Sequence, residues 1–185
     1  MPPKVKVTKK DIIETALSLT REKGESAINA RAVAAALECS TQPVFSNFGI
    51  MEELKNAVKA EAFKLYLSFL EKEQSTGKYP AYKSYGMAYI RFAREERELF
   101  KLLFMCDREG EDFSPSEDFT ASVEMIMNAN GVSREKAELI HLEMWACVHG
   151  IASMTATSFL VLDEELISKI ISDVYCGIRH AHGVI

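Results

Sequence analysis

The feature that most constrains the fold is the spacing of apolar residues, which follows a 3.6-residue period along almost the whole chain of 185 residues. Alternation of apolar and polar residues, the pattern of half-buried strands, is almost absent. The helical period is clear over residues 51–73 and 163–180, where one side of each segment is apolar. Because 48% of the residues are hydrophobic, the chain can bury a packed core. The sequence therefore predicts an all-α fold.

Capping signals predict where the first two helices begin and end. Thr8 and Asp11 have the spacing of a capping box, in which the two side chains bond to each other's backbone N–H groups. Gly24 is placed to end the first helix, because glycine readily adopts the left-handed conformation that follows a helix. Asn29 is predicted to cap a second, alanine-rich helix at residues 30–37, whose small side chains allow close packing against a neighbour.

A tight turn and a short polar-aromatic helix follow. Residues 38–40 form the predicted turn, and Ser40 or Thr41 is predicted to cap a third helix that runs to Phe48. Pro43 lies in the first turn of this helix, where its missing N–H leaves no intrahelical bond unmade. Two helices joined in this way pack at an angle and leave the outer face of the second free to enter a DNA groove.

The rest of the chain is predicted to be helical as well. A long helix is expected over residues 51–73, and residues 75–80 interrupt the helical pattern. The remaining helices are predicted at residues 81–94, 96–106, 116–128, 133–159 and 163–180, with a charged loop at residues 107–112.

Charge is unevenly distributed along the chain. The formal net charge is −5, but residues 1–55 carry +1 and residues 56–185 carry −6. Four lysines lie within the first ten residues, before any helix is well established, where a flexible arm reaching for DNA phosphates would sit. An ordinary solvated tail would have the same composition, and the sequence leaves both interpretations open.

Several classes of protein are excluded by missing signals. The four cysteines are far apart and lack C-x-x-C or zinc-finger spacing, which indicates reduced thiols rather than a metal site or disulfide framework. No apolar run approaches the length of a membrane span, and the first residues lack the apolar region of a secretory signal. We therefore expect a cytoplasmic protein without membrane contact. Because no nucleotide-binding, hydrolase or metalloprotease motif is present, we expect no enzymatic activity, no catalytic residues, no cofactor and no metal.

Two motifs in sequence order indicate a family. The first is Val-Phe-Ser-Asn-Phe at residues 44–48, followed by Glu-Glu-Leu at residues 52–54; the second is Trp-Ala-Cys-Val-His-Gly at residues 145–150. With the first motif, residues 8–54 resemble the DNA-binding domain of TetR-family transcriptional regulators. The second motif, together with residues 89–104, resembles the branch of that family whose regulatory domain has a Trp-x-x-x-His-Gly signature.

The resemblance implies both an architecture and a function. It implies an N-terminal three-helix helix-turn-helix DNA-binding domain at residues 1–50 and a C-terminal helical-bundle domain for ligand binding and dimerisation at residues 51–185. In the family the last two helices form a four-helix bundle between two subunits, so a homodimer is expected. The implied function is a repressor of transcription whose affinity for double-stranded operator DNA is altered by an unidentified small-molecule effector. An all-helical protein-interaction module without DNA binding is the alternative.

The candidate DNA-binding residues lie around the third helix. In a helix-turn-helix, residues at the start of the second helix of the motif face base edges, while its flanks meet phosphates. Thr41, Gln42 and Ser46 are therefore predicted to contact the groove, and Gln42 could form a bidentate pair with adenine. The complete predicted set is Lys4, Lys6, Lys9, Lys10, Arg31, Ser40, Thr41, Gln42, Pro43, Phe45, Ser46 and Asn47.

Three positions depart from the family's pattern. Glu38 replaces the usual glycine of the turn, which predicts a non-glycine residue in a left-handed conformation. Phe45 replaces a common tyrosine and Met51 a frequent lysine, and each change removes a group able to contact a phosphate. Val44 and Phe48 are predicted to belong to the core, whereas Phe45 either belongs to the core or presses on the sugar–phosphate backbone.

The C-terminal part is rich in methionine and aromatic residues, which suit an apolar pocket. The predicted ligand-binding residues are Phe92, Phe104, Met144, Trp145 and His149. Residues of these types at helical spacing also form ordinary core, and both interpretations remain open. His141, Trp145 and His149 share one helical face, but a metal site needs more ligands, so a buried, hydrogen-bonded histidine or a polar group of the pocket is favoured over zinc.

Overall fold

The computed structural model describes residues 7–107 and 117–185, with the side chains of residues 117 and 118 also outside the description. The described residues form α-helices, one short 3-10 turn at Glu25–Ala27 and no strand, which confirms the all-α prediction. The helices are α1 (Lys9–Lys23), α2 (Ala30–Ala36), α3 (Gln42–Asn47), α4 (Met51–Ser75), α5 (Ala81–Glu95), α6 (Arg97–Phe104), α7 (Glu117–Asn130), α8 (Arg134–Ala156) and α9 (Glu164–Ala181). None of these helices is both long enough and apolar enough to cross a membrane.

The described chain divides into two compact units. The first consists of the residues up to Leu67 together with Glu96–Cys106, and the second of Ser68–Glu95 and the residues from Asp107 to Ile185. This division does not follow the predicted boundary at residue 50. The first part of α4 and all of α6 group with α1 to α3, because Leu54, Val58 and Leu102 belong to the same buried cluster as residues of the first three helices.

In the first unit, the caps predicted for α1 are present. The Thr8 backbone N–H donates to Asp11 Oδ2 at 2.8 Å, and the Asp11 N–H donates to Thr8 Oγ1 at 3.2 Å, so the capping box is confirmed. The Thr8 hydroxyl also donates to Asp11 Oδ2 at 2.7 Å, and this bond, together with the bond from the Thr8 backbone N–H, lowers the pKa of the Asp11 carboxyl. Gly24 ends α1 with a φ of 78°, and a Cβ there would lie 2.8 Å from Glu98 Oε2. A side chain at this position would therefore meet both backbone strain and a close contact.

In the second unit, α8 packs against α5, α7 and α9. Gly86 of α5 permits a close approach to α8, because a Cβ on it would lie 3.3 Å from Val148 Cγ2. Ser133 and Asp163 cap α8 and α9 through side-chain bonds to the N–H groups of Lys136 and Leu166. The long α8 thus has both a fixed start and a buried face.

Most element ends lie within one or two residues of the prediction. The helix predicted to reach Phe159 ends earlier, at Ala156, because a turn follows in which Ser158 has a φ of 57°. The helix predicted at residues 96–106 is shorter, since Glu96 precedes its first turn and Met105 ends it. Apart from Asp107, the predicted charged loop at residues 107–112 lies outside the described residues, as does the predicted helix start at Ser116.

Candidate nucleic-acid interface

The candidate interface is built on the turn between α2 and α3. The Ala32 N–H donates to Asn29 Oδ1 at 2.9 Å, which confirms Asn29 as the cap of α2. Glu38 has a φ of 50°, so the prediction of a left-handed non-glycine residue in the turn is confirmed. The Cys39 N–H then donates to the Ala34 carbonyl at 2.9 Å and closes the end of α2. This hydrogen-bonded turn fixes where α3 starts.

The two faces of α3 are clearly separated. Val44 and Phe48 are 0% and 2% exposed and belong to the buried cluster of the first unit, as predicted. Gln42, Phe45 and Ser46 are exposed, and the Phe45 side chain is 52% exposed. The core interpretation of Phe45 is therefore wrong, because the α-helical spacing that buries Val44 and Phe48 turns the next residue outward.

The other predicted residues of this segment differ in exposure and in hydrogen bonding. Ser40 is exposed, while Thr41 and Pro43 are half-buried. Thr41 is the N-cap residue, as one of the two predicted alternatives had it, but its side chain makes no capping hydrogen bond. Asn47 is half-buried, and its Nδ2 donates to the Pro43 carbonyl at 2.8 Å. Only part of the Asn47 side chain is therefore free for an external partner.

The basic residues of the predicted set occupy different positions. Lys4 and Lys6 lie outside the described residues. The expectation that all four early lysines precede any helix is wrong for Lys9 and Lys10, because the capping box starts α1 at Lys9. Lys9 Nζ lies 4.9 Å from the centre of the Phe48 ring, so it makes a cation–π contact. Arg31 is exposed near the start of α2.

Acidic side chains lie in the same unit. The Gly49 N–H donates to Glu53 Oε2 at 2.8 Å at the start of α4, and Lys55 Nζ lies 3.1 Å from Glu25 Oε1. Glu38 is exposed in the turn. Charges of both signs therefore lie among the described residues of the first unit.

Within the first unit, an ion pair joins α1 to the residue that precedes α6. Arg21 Nε donates to Glu96 Oε2 at 2.8 Å, and a second bond joins Arg21 Nη2 to Glu96 Oε1. The Glu96 side chain is only 9% exposed, so this bidentate pair neutralises a largely buried carboxylate. The sequence contains no local signal for this pair, because its members are 75 residues apart.

The predicted ligand-binding residues differ in their surroundings. Phe92 and Met144 are 0% and 3% exposed and form part of the packed core. The rings of Trp145 and His149 stack with their centres 5.1 Å apart and an interplanar angle of 18°. Phe104 belongs to the first unit, where its ring meets the edge of Tyr66.

The two histidines of α8 are hydrogen-bonded to tyrosines of α5. His141 Nδ1 lies 2.9 Å from the Tyr82 hydroxyl, and His149 Nδ1 lies 2.9 Å from the Tyr89 hydroxyl. Burial lowers the pKa of both histidines and raises that of Tyr82. Among the residues that the structure describes, no group of three or more histidine, cysteine or acidic side chains could hold a metal ion.

A cleft that the sequence did not predict lies in the described part of the second unit. Its volume is about 290 Å³, and its lining residues are Gln74, Tyr79, Ala81, Ser84, Tyr85 and Met125. None of the predicted ligand-binding residues lines it. The break at residues 75–80 and the tyrosines beside it were visible in the sequence, but no pattern showed that α7 brings Met125 to the same place.

The three-helix unit with a hydrogen-bonded turn and an outward-facing third helix has the geometry of a helix-turn-helix protein. Residues 83–169 match a protein-family model described as "Tetracyclin repressor-like, C-terminal domain". The match covers just under half of the chain, and it supports a relation to the TetR family over these residues. A comparison with curated proteins finds no match.

Proposed function

We propose that this chain is a homodimeric, DNA-binding repressor of transcription whose affinity for operator DNA changes when a small molecule binds its C-terminal part. The observation that carries the DNA-binding proposal is the orientation of α3, which buries Val44 and Phe48 and exposes Gln42, Phe45 and Ser46. This is the arrangement in which a helix-turn-helix presents side chains to base edges. The family match over residues 83–169 supports the same proposal independently.

The proposed homodimer is supported by exposed apolar side chains on α8 and α9. Leu139, Leu142 and Trp145 of α8 are 47%, 54% and 49% exposed, and Leu166 of α9 is 42% exposed. An apolar face of this kind is typical of a protein interface, and a second copy of the same face would form a symmetric one. Two recognition helices are also needed to read a site of useful length.

DNA binding is tested by titrating the full chain onto a labelled duplex from the region upstream of its own gene, at several salt concentrations. We expect the logarithm of the affinity to fall linearly with the logarithm of the salt concentration. Gln42→Ala should weaken binding by about 1–3 kcal/mol and relax specificity at one base position. The matched control is Asn128→Ala, since Asn128 carries an exposed carboxamide on α7 in the second unit.

A lysine variant separates phosphate contacts from base contacts in the same assay. Lys9→Ala should weaken binding to every duplex and reduce the salt slope by about 1, because a phosphate contact carries no sequence information. Equal effects of Gln42→Ala and Lys9→Ala on all duplexes would refute this division of roles. An intact dimer that binds no DNA at low salt would instead favour the protein-interaction module.

The homodimer is tested by sedimentation of Leu142→Glu. A charge placed in an apolar interface loses its hydration without gaining a partner, so we expect this variant to sediment as a monomer. Ile50→Glu is the matched control, because Ile50 is a 62% exposed apolar residue of the first unit. A dimer that survives Leu142→Glu would show that this face is not the interface.

The effector site is tested by screening small molecules for release of the operator duplex and repeating each positive result on two variants. Ala81→Trp fills the cleft bounded by Tyr79 and Met125, whereas Trp145→Ala removes one of the ligand residues predicted from sequence. Loss of the response in Ala81→Trp alone assigns the effector to the cleft. Loss in Trp145→Ala alone, in a variant that still sediments as a dimer, assigns it to the stacked Trp145–His149 pair.

A further inference from the structure

The outward face of α3 carries no charged side chain. The helix consists of Gln42, Pro43, Val44, Phe45, Ser46 and Asn47. Guanine is read most often by an arginine or lysine that donates two hydrogen bonds to its O6 and N7 atoms. Since α3 offers no cationic donor, this common way of selecting G·C pairs is absent from the helix itself.

The exposed side chains of α3 match adenine and thymine instead. The Gln42 carboxamide both donates and accepts, which is the combination that N6 and N7 of adenine require. The Phe45 side chain is 52% exposed and has no polar atom, so it offers apolar surface to a base. In the major groove the prominent apolar group is the C5-methyl of thymine. Asn47 competes poorly for adenine, because its Nδ2 already donates to Pro43.

The spacing along α3 places the two contacts close together on the duplex. Three residues of an α-helix rise by about 4.5 Å, and successive base pairs are about 3.4 Å apart. The bases opposite Gln42 and Phe45 are therefore neighbours or separated by one base pair. Ser46 is exposed beside Phe45 and can bond to any base, so it adds little selectivity.

We infer that each half-site of the operator contains A·T pairs at these positions, with an adenine hydrogen-bonded to Gln42 and a thymine methyl in contact with Phe45. The inference rests on the proposed DNA-binding function and makes it more specific. It assigns Phe45 a role in sequence selection, in contrast to a ring that rests on the sugar–phosphate backbone and affects all sequences alike.

The test begins with selection of preferred duplexes from a random pool by the full chain. Each thymine of the selected duplex is then replaced in turn by deoxyuridine, which lacks only the methyl group. Burial of one methyl corresponds to about fourfold in affinity. We expect one thymine in each half-site at which the replacement weakens binding by about fourfold, and an adenine within two base pairs of it.

Two variants show whether Phe45 makes this contact. In Phe45→Ala the deoxyuridine effect should disappear, because the ring that meets the methyl is gone. Ile50→Ala should keep the effect, since Ile50 is a 62% exposed apolar residue outside α3. A deoxyuridine effect that persists in Phe45→Ala, an equal loss on all sequences, or G·C pairs at these positions would overturn the inference while leaving DNA binding established. Recovery of no duplex at low salt would overturn the proposed function itself.

Discussion

The helix-turn-helix segment and the α5–α8 pair differ in how far along the sequence their polar contacts extend. In the first, Asn29 caps the N–H of Ala32, three residues away. In the second, the bonds from Tyr82 to His141 and from Tyr89 to His149 span 59 and 60 residues. The comparison teaches that the first region is specified by local signals, whereas the second depends on which helices become neighbours.

The largest effect is expected at Phe92, a predicted ligand-binding residue for which a core position was the alternative and whose side chain is buried. Its ring is 0% exposed and meets the edge of Phe69, with ring centres 5.3 Å apart. Phe92→Ala should lower the free energy of unfolding by about 3–5 kcal/mol, measured by urea denaturation. The control Phe159→Ala, at an 81% exposed residue, should change it little. A small loss at Phe92 combined with altered effector affinity would restore the ligand assignment.

A smaller effect is expected from the local signal that starts α2. Asn29→Ala removes the side chain that accepts from the Ala32 N–H and should lower the free energy of unfolding by about 1 kcal/mol. Asn56→Ala is the matched control, because Asn56 is exposed within α4 and alanine is the better helix former there. If the two variants are equally stable, the cap does not specify this region.

Glu38→Gly should stabilise the protein slightly. Glu38 has a φ of 50°, a conformation that an L-residue with a side chain adopts at a cost and that glycine adopts freely. Because glycine also loses more chain entropy on folding, the free energy of unfolding should rise by only about 0.5 kcal/mol. Thermal denaturation measures this change. Ser158→Gly provides the comparison in the second unit, since Ser158 has a φ of 57°. A loss of stability in both variants would show that the turns are not strained.

The smallest effect is the dependence of stability on pH. The pKa values of His141 and His149 are lowered by burial from the usual 6.5, so below that value the unfolded chain takes up protons that the folded chain does not. The contribution of the two neutral histidines to the free energy of unfolding is therefore complete above pH 6.5, and it should decrease as the pH falls below 6.5. The melting temperature of His149→Gln should fall less between pH 7.5 and 5.5 than that of the wild type. His180→Gln, at an exposed histidine, should behave as the wild type.

Sequence reasoning predicted the all-α fold and the caps because each depends on a few adjacent residues, and it predicted the left-handed turn because the resembling family has glycine at the position of Glu38. It also separated Val44 and Phe48 from the exposed side of α3, since helical periodicity alone decides which side chains share a face. It did not predict the Arg21–Glu96 pair or the cleft beside Met125, because both bring together residues far apart in the chain. It left the role of Phe92 open for a related reason, since a buried phenylalanine and one that lines a pocket have the same local pattern.

Trp145 is the only tryptophan of the chain, and it lies half-exposed and stacked on His149. Its fluorescence therefore originates from a single known place on α8. Emission should shift to shorter wavelength when another copy covers the indole, and it should dim when the adjacent imidazole becomes an electron-accepting cation. One optical signal, without any added dye, can follow both assembly and protonation at this surface.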